Sequence, residues 1–264
     1  GGFTGVAGLA RMKERRDLLL TGLYVGLVNC VAFLGVGLAQ DPEVATASRM
    51  AAAFLNGLVC FALTSATVPL LEALFHVTTD MRLMELTAGY HPLLREMEER
   101  APGSFQHSLN VAKLAESAAE AIGARYLLVR AGAYFHDIGK MLKPKYYIEN
   151  QVTPEERRIH SRLSPYMSTL IIKNHVKDGV ELARKYRLPD LVVDFIPQHH
   201  GTTLIQYFYA EALRKAEPCD TVHEEEFRYP GPKPQTIEAA ILMLADTVDA
   251  TATAKLARAT MDED

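Results

Sequence analysis

With 264 residues and a net charge of only −4 (28 Lys and Arg against 32 Asp and Glu), the chain has room for one large domain or two ordinary ones, and it lacks the basic field that a nucleic-acid polymer calls for. Three cysteines (Cys30, Cys60 and Cys219) without paired spacing exclude a disulfide framework and a cysteine-based zinc site, as befits a reducing compartment. Nearly all the charge lies after residue 80, so an apolar opening part is followed by a polar remainder.

The opening Gly-Gly-Phe has no initiating Met and no signal-peptide pattern, which predicts a piece of a longer chain. Leu18 to Ala39 and Met50 to Leu71 are two runs of 22 residues without a charge. Each is long enough to cross about 30 Å of hydrocarbon at about 1.5 Å per residue. The alternative, a pair of buried core helices, fits poorly with two such runs only ten residues apart. Gly22, Gly26, Gly35, Gly37 and Gly57 suit close helix packing in lipid, and Gly22-x-x-x-Gly26 is a motif of that kind. Arg11, Lys13, Arg15 and Arg16 precede the first span, whereas the Gln40–Arg49 connection carries Asp41 and Glu43 with one Arg. The positive-inside bias therefore predicts residues 1–17 in the cytoplasm, a short loop outside, and everything after about residue 72 inside. Residues 1–71 form the expected membrane segment and 72–90 a mixed-charge juxtamembrane linker.

Residues 91–264 form the expected cytoplasmic domain, and its pattern is helical almost throughout. Helices are predicted at 92–100, 105–122, 125–138, 154–160, 162–186, 189–200, 203–216 and 236–257. They are separated by Ala101-Pro-Gly103, Gly123, Gly139, Pro189, Gly201 and Tyr229-Pro-Gly-Pro232. No alternating β-run exceeds four residues, and 217–235 is predicted as an exposed loop. The fold class is all-α: a helical bundle preceded by two transmembrane helices.

His136-Asp137 interrupts the apolar run Leu128–Lys140, placing an imidazole and a carboxylate at a helix edge that Gly139 is expected to end. Alone, the pair reads more commonly as two buried groups satisfying each other's hydrogen bonds than as metal ligands. Other chemistry-bearing residues accompany it. His107 opens one helix, His175 is mid-helix, His199-His200 follow Pro197-Gln198, and Asp246 lies on an apolar face. Five imidazoles and two carboxylates thus fall at the ends or inner faces of five helices. A buried, unpaired carboxylate costs several kcal/mol, and a metal is one of few partners that offset this. Nitrogen and oxygen ligands without thiolate suit Fe, Mn, Co or Zn in an open site. The number of ligands suits two ions about 3.5–4 Å apart that activate water and clamp a phosphoryl group. His76 and His91 have no partner at useful spacing and are predicted to be solvated or capping, and His160 to lie at the surface or behind the ligands.

The order His107 … His136-Asp137 … Asp246 resembles the HD superfamily of metal-dependent phosphohydrolases, and His175 with His199-His200 resembles its binuclear members. The Glu72–Leu86 link, Pro102-Gly-Ser-Phe-Gln-His-Ser-Leu109, Gly132-Ala-Tyr-Phe-His-Asp-Ile-Gly-Lys140, Tyr147-Ile-Glu-Asn-Gln151, His175-Val-Lys-Asp-Gly179 and His199-His-Gly-Thr-Thr203 are similar to the seven-transmembrane HD family, across essentially the whole chain. Its PgpH-type members hydrolyse cyclic di-AMP. The resemblance implies one metal on His107, His136, Asp137 and Asp246, and a second on Asp137 as bridge with His175, His199 and His200. It further implies two divalent transition ions, iron or manganese, and the linear product pApA. An HD-domain bundle at the plasma membrane, more spans, an extracellular sensing domain, and a further helix beyond Met261-Asp-Glu-Asp264 belong to the same expectation.

Lys140 is expected to meet a phosphate oxygen as a catalytic or substrate-binding charge, or to be a solvated lysine at a helix C-terminus. Arg162 and Thr203 are further candidates for touching phosphate or base, and Tyr146 and Tyr147 for stacking on a base or packing in the core. Asp249 lies one turn from Asp246, and only the resemblance distinguishes the two. The stretch His200-Gly-Thr-Thr-Leu-Ile-Gln-Tyr-Phe-Tyr209 lacks the Gly-Tyr-Pro element of enzymes that cleave cyclic di-GMP. Two rival functions are a one-metal phosphohydrolase acting on a mononucleotide, and a catalytically silent nucleotide-binding module. The expected partners are a cyclic dinucleotide and the bilayer, with homo-oligomerisation left open.

Overall fold

The computed structural model describes residues 15–40, 47–75, 77–88, 91–217 and 221–261. The chain divides into two compact units after Arg82.

In the first unit, helix α1 (Arg15–Gln40) packs against α2 (Ala47–Phe75). The contact is built on glycine, since a Cβ on Gly57 would lie 2.5 Å from Gly26 Cα and 2.7 Å from the Gly22 carbonyl oxygen. Only bare backbone fits there, as small-residue helix crossings require. Gly35, by contrast, meets open space, and Gly37 lies where only the helix backbone is described. Arg49–Glu72 within α2 is long and apolar enough to cross a membrane by length and composition. Helix α1 covers the predicted span 18–39, and its stretch Leu20–Gly35, where side chains are described, is apolar. Leu20, Leu27, Val31, Leu63 and Leu74 point outward from this pair of helices. Arg11, Lys13, Asp41, Glu43, His76 and Cys219 lie outside the described residues, while Cys30 and Cys60 are free thiols.

The predicted linker contains a helix, α3 (Asp80–Thr87). Its Leu83 and Leu86, three residues apart, are fully buried in the core that opens the second unit. Mixed charge on the outer face masked that inward pair. His91 then caps α4 (Pro92–Arg100), its ring accepting from the Leu93 N–H, and Leu93, Leu94 and Met97 line the buried face. Ala101-Pro-Gly103, read as a turn, instead starts α5 (Pro102–Ile122). A proline in the first helical position gives up only an N–H that has no partner there. Ser104, Ser108, Val111, Ala112, Ala115 and Ala119 form a narrow, small-residue face that lets α6 (Tyr126–Phe135) approach closely. Gly123 ends α5 with φ 74°, a left-handed cap.

From here the bundle is less regular than predicted. The helix expected over 125–138 stops at Phe135, and Ile138–Leu142 is a 3-10 turn. Two further 3-10 turns, Pro144–Tyr146 and Ile148–Asn150, lead to α7 (Pro154–Arg157). A fourth turn, Ile159–Arg162, leads to α8 (Pro165–Lys185). The single helix expected at 189–200 is two single turns, α9 (Asp190–Val193) and α10 (Phe195–Gln198). Helix α11 (Gln206–Lys215) and the long α12 (Ile237–Met261) follow. The segment between them is anchored rather than an exposed loop, because Phe227 is fully buried and Leu204 bridges to Arg228. No longer strand occurs among the described residues. Phe135, Ile138, Ile196, Leu242 and Met97 are fully buried at the centre of this unit.

Gly139 does something other than end a helix. It sits in the 3-10 turn with its Cα against α8, where an added Cβ would fall 1.9 Å from the His175 carbonyl oxygen and 2.6 Å from the Gly179 N. Backbone therefore meets backbone, and this sets Asp137 and His175 side by side. Gly139→Ala must push the turn off α8, and overpacking of this kind costs about 1–3 kcal/mol or more. The expected result is a melting midpoint lowered by roughly 2–12 °C in a thermal scan, at about 2–4 °C per kcal/mol. An unchanged midpoint would show that the crossing has slack.

Candidate metal centre

Five structural elements deliver polar groups to one point. His107 comes from the second turn of α5, and His136-Asp137 from the junction of α6 with the 3-10 turn. His175 comes from the middle of α8, His199-His200 from just past α10, and Asp246 from α12. His136, Asp137, His175 and His199 are almost completely buried, Asp246 is buried, and His107 and His200 retain an exposed edge.

Ring orientation is fixed by the main chain. His136, His175 and His199 each donate their Nδ1–H to the carbonyl three residues earlier, Ala133 at 2.7 Å, Ile172 at 2.6 Å and Ile196 at 2.6 Å. Each therefore turns an Nε2 lone pair inward. His107 is aimed by a carboxylate instead, its Nδ1 lying 2.6 Å from Asp249 Oδ2. Such a partner behind a histidine is the usual way a metal ligand is oriented. Asp249 thus contacts the far nitrogen of His107, whereas Asp246 Oδ1 lies 3.0 Å from its Nε2. This contact separates the roles of two acids that spacing alone left equivalent.

Asp137 is the hub. Its Oδ2 lies 3.2 Å from His136 Nε2 and 3.6 Å from His107 Nε2, while its Oδ1 lies 3.4 Å from His175 Nε2 and 3.6 Å from His199 Nε2. His200 Nδ1 is 3.7 Å from Asp246 Oδ2. Despite this crowding, His136 Nε2 and Asp137 Oδ1 are buried without a hydrogen bond. Buried polar atoms of this kind are rare and costly unless another partner occupies the space. Ligand atoms within 4.8 Å of one another fall into three sets able to hold an ion: Asp137, His175, His199 and His200; His107, His136 and Asp137; and His136, His199 and Asp246. The residues present fit a divalent metal.

The electrostatics agree with that chemistry. Burial drives His175 down to about 3 against the pull of Asp137, and burial with the neighbouring His199 also lowers His200, so both rings stay neutral with free lone pairs. Burial opposes a charge on His107, but the bond to Asp246 and the field of Asp137 outweigh it and push it up to about 9. A metal at this point would release that proton. Burial likewise works against ionising Asp137 and Asp246. The adjacent His136 and Lys140 hold Asp137 well below the usual carboxylate range, and His107 does the same for Asp246.

Lys140 lies at the inner edge, its Nζ 2.7 Å from Asp137 Oδ2 and 2.9 Å from Glu149 Oε1. Burial disfavours its charge, yet Asp137 and Glu149 hold it well above lysine's ordinary value. It is therefore a largely buried ammonium at the cluster of histidines and aspartates, not a solvated helix-end lysine. Arg162 is exposed on its 3-10 turn and has no hydrogen bond or ion pair with the seven candidate ligands. Thr203 is exposed, with its hydroxyl donating to the His200 carbonyl at 2.6 Å. His160 stands apart, its Nε2 2.8 Å from the Tyr146 carbonyl oxygen and its ring against Phe208.

Tyr147 is buried with its ring edge towards His175 and the Lys140 ammonium over its face, so it forms a wall of the centre rather than a free stacking platform. Tyr229, expected only as part of an exposed turn, was missed as a site residue. Its ring lies 4.1 Å from that of His200, tilted by 31°, on the segment expected to be exposed. Burial holds both phenols far above their ordinary range, so they stay protonated. Glu149 and Ser104 were also missed as contributors: Ser104 Oγ donates to Glu149 Oε1 at 2.8 Å. Both lie inside quoted motifs, but nothing in their spacing announced a contact across 45 residues.

Residues 104–251, which contain all seven residues of this cluster, match the family described as HD domain. The chain belongs to the HD-domain family. Residues 1–79, ahead of the HD domain, match the family described as 7TM receptor with intracellular HD hydrolase, which marks a membrane protein. The chain is 42% identical over 252 residues to the cyclic-di-AMP phosphodiesterase PgpH of Bacillus subtilis (strain 168), covering 94% of this chain and 35% of that protein. It is also 42% identical to the PgpH of Listeria monocytogenes serotype 1/2a, covering 94% of this chain and 34% of the relative. The chain thus spans about a third of the length of these curated relatives. Among solved structures, the HD domain resembles the L. monocytogenes phosphodiesterase PgpH HD domain in complex with cyclic-di-AMP. The match has a TM-score of 0.57 and 46% identity, and covers 62% of this chain and 74% of the other. The all-α HD-domain fold read from the sequence is the fold observed.

Proposed function

We propose that this chain is a metal-dependent phosphodiesterase that hydrolyses cyclic di-AMP to linear pApA. The observation that carries the reading is the buried Asp137 carboxylate, whose two oxygens face two separate groups of imidazoles. The cyclic-di-AMP phosphodiesterase activity of the PgpH relatives supports the substrate. One ion would be held by His107, His136, Asp137 and Asp246, and the other by Asp137, His175, His199 and His200, with Asp137 shared. The nitrogen-rich donor set favours a transition ion over magnesium or calcium, and the resemblance to the seven-transmembrane HD family implies iron or manganese. Such a pair, when bound, supplies a water that deprotonates near neutral pH and offsets the charge developing on the phosphoryl oxygens.

The chain's own groups do the rest. Neutral His175 and His200 keep their lone pairs available at physiological pH. The three backbone-tethered rings stay fixed, so little reorganisation accompanies each turnover. The Lys140 ammonium, buried beside Asp137, would donate to a phosphate oxygen as a point charge. Tyr147 and Tyr229 wall the centre and limit water. Arg162 and Thr203 are exposed and open to the outer parts of a bound nucleotide.

The glycine-built crossing of α1 and α2 and their outward-facing leucines and valines support a membrane hairpin. In this reading both helices span the plasma membrane and the HD domain faces the cytoplasm, where a second messenger is available. Incubating the purified chain with Mn²⁺ and either cyclic di-AMP or cyclic di-GMP, then separating the products, tests the assignment. The expected result is conversion of cyclic di-AMP to pApA, at least tenfold faster than any turnover of cyclic di-GMP. Turnover of a mononucleotide alone, with about one ion per chain, would replace this reading with a one-metal site.

A further inference from the structure

Glu149 has no place in the ligand set, yet four-fifths of its side chain is buried. Its Oε1 accepts from Lys140 Nζ at 2.9 Å and from Ser104 Oγ at 2.8 Å. Asn150 completes the clasp: its Nδ2 donates to Ser104 Oγ at 2.8 Å, and its Oδ1 accepts the Ser104 N–H at 3.1 Å. Gly103 lets the two segments meet, because a Cβ there would fall 1.9 Å from the Glu149 carbonyl oxygen. The carboxylate is thus fixed to the first turn of α5, one turn before His107.

The consequence lies with Lys140. Its ammonium stands 2.7 Å from Asp137 Oδ2, the same oxygen that faces His107 and His136. An ammonium on that oxygen competes directly with any cation sought by His107 and His136. Two unit positive charges a few ångströms apart in a buried site repel strongly. The lysine therefore needs a second carboxylate to hold it when Asp137 turns to a metal, and Glu149 is the only other carboxylate in an ion pair with it among the described residues.

We infer that Glu149 is a positioning residue that holds the Lys140 ammonium off Asp137 so that a divalent cation can take Asp137 Oδ2. This rests on the metal reading above, and it concerns metal affinity rather than the identity of the substrate. Glu149 needs no contact with substrate or metal for this role. It acts by giving a fixed internal cation a place to stand.

The test is a double-mutant cycle read as metal binding, without substrate. The full chain, purified in detergent, is titrated with Mn²⁺ as wild type, Glu149→Gln, Lys140→Met and the double variant. Glutamine keeps the acceptor for Ser104 and removes the charge that holds Lys140. Glu149→Gln is expected to weaken the binding of one ion by roughly 10-fold or more, the range for partners behind a metal ligand. Lys140→Met is expected to bind Mn²⁺ at least as tightly as wild type, and in that background Glu149→Gln should change affinity less than about twofold. Loss in Glu149→Gln with recovery in the double variant supports the inference. Wild-type affinity in Glu149→Gln overturns it. So does equal weakness in the double variant, which would make Glu149 a plain structural prop. If Glu149→Gln does not fold, the comparison of Lys140→Met with the double variant still decides, since a loss there overturns the inference. A wild type that binds no Mn²⁺ overturns the metal reading as well, which separates the two failures.

Discussion

Asp137→Ala is expected to abolish hydrolysis of cyclic di-AMP, by roughly three orders of magnitude or more, and to take bound metal from about two ions per chain to less than one. The reason is its position between two sets of nitrogens. Oδ2 faces His107 and His136, and Oδ1 faces His175 and His199, all within 3.6 Å. On the two-ion reading, losing any single imidazole would leave one ion with reduced support, whereas losing this carboxylate would remove a ligand from both. It also leaves the Lys140 ammonium beside a cluster of histidines with only Glu149 to balance it. The measurement pairs product separation by chromatography with metal analysis of the same sample. A variant that retained two ions, or a tenth of the wild-type rate, would show that Asp137 is not shared.

The second large effect is on the fold itself. An ion that binds only the folded state adds about 4 kcal/mol when present at a thousand times its dissociation constant. At about 2–4 °C per kcal/mol, stripping the metal with a chelator should lower the melting midpoint by roughly 8–16 °C. Activity should vanish at the same time, and both should return with Mn²⁺ or Fe²⁺ but not with Ca²⁺, which prefers an all-oxygen shell. The buried Asp137 Oδ1 and His136 Nε2, which find no hydrogen-bond partner in the protein, are the atoms whose desolvation an ion would offset. Equal midpoints with and without chelator would contradict this.

Much of the fold was legible because helix-forming runs and their breaks are local properties. The 92–100 helix was read with its boundaries intact, and the seven clustered residues were legible because imidazoles and carboxylates on apolar faces need a reason to be there. What the sequence hid was contact between distant segments. Gly139 reads as a helix stop from its neighbours alone, and only the presence of α8 shows that its missing side chain admits a backbone crossing. Tyr229 lies in a proline-rich stretch that reads as solvent-exposed, yet the burial of Phe227 two residues earlier pulls it onto His200. The helix expected across 189–200 breaks at Asp194, and this short interruption lets His199 and His200 leave α10 facing the cluster. Asp246 and Asp249 share a helix face by spacing. What tells them apart is that His107 offers a different nitrogen to each, and that of the two only Asp246 also meets His136 and His200.

The tethering of three rings to Ala133, Ile172 and Ile196 bears on how freely the surrounding sequence can drift. The acceptor in each case is a peptide carbonyl, which every amino acid supplies. Random substitution at those three positions can alter packing but cannot delete the group that aims the histidine. His107 is the exception, since its aim depends on the side chain of Asp249. In a library of random variants, position 172 should therefore tolerate wide change and the fully buried 133 and 196 only apolar residues that fit, whereas 249 should be intolerant, although none of the four is among the seven clustered residues.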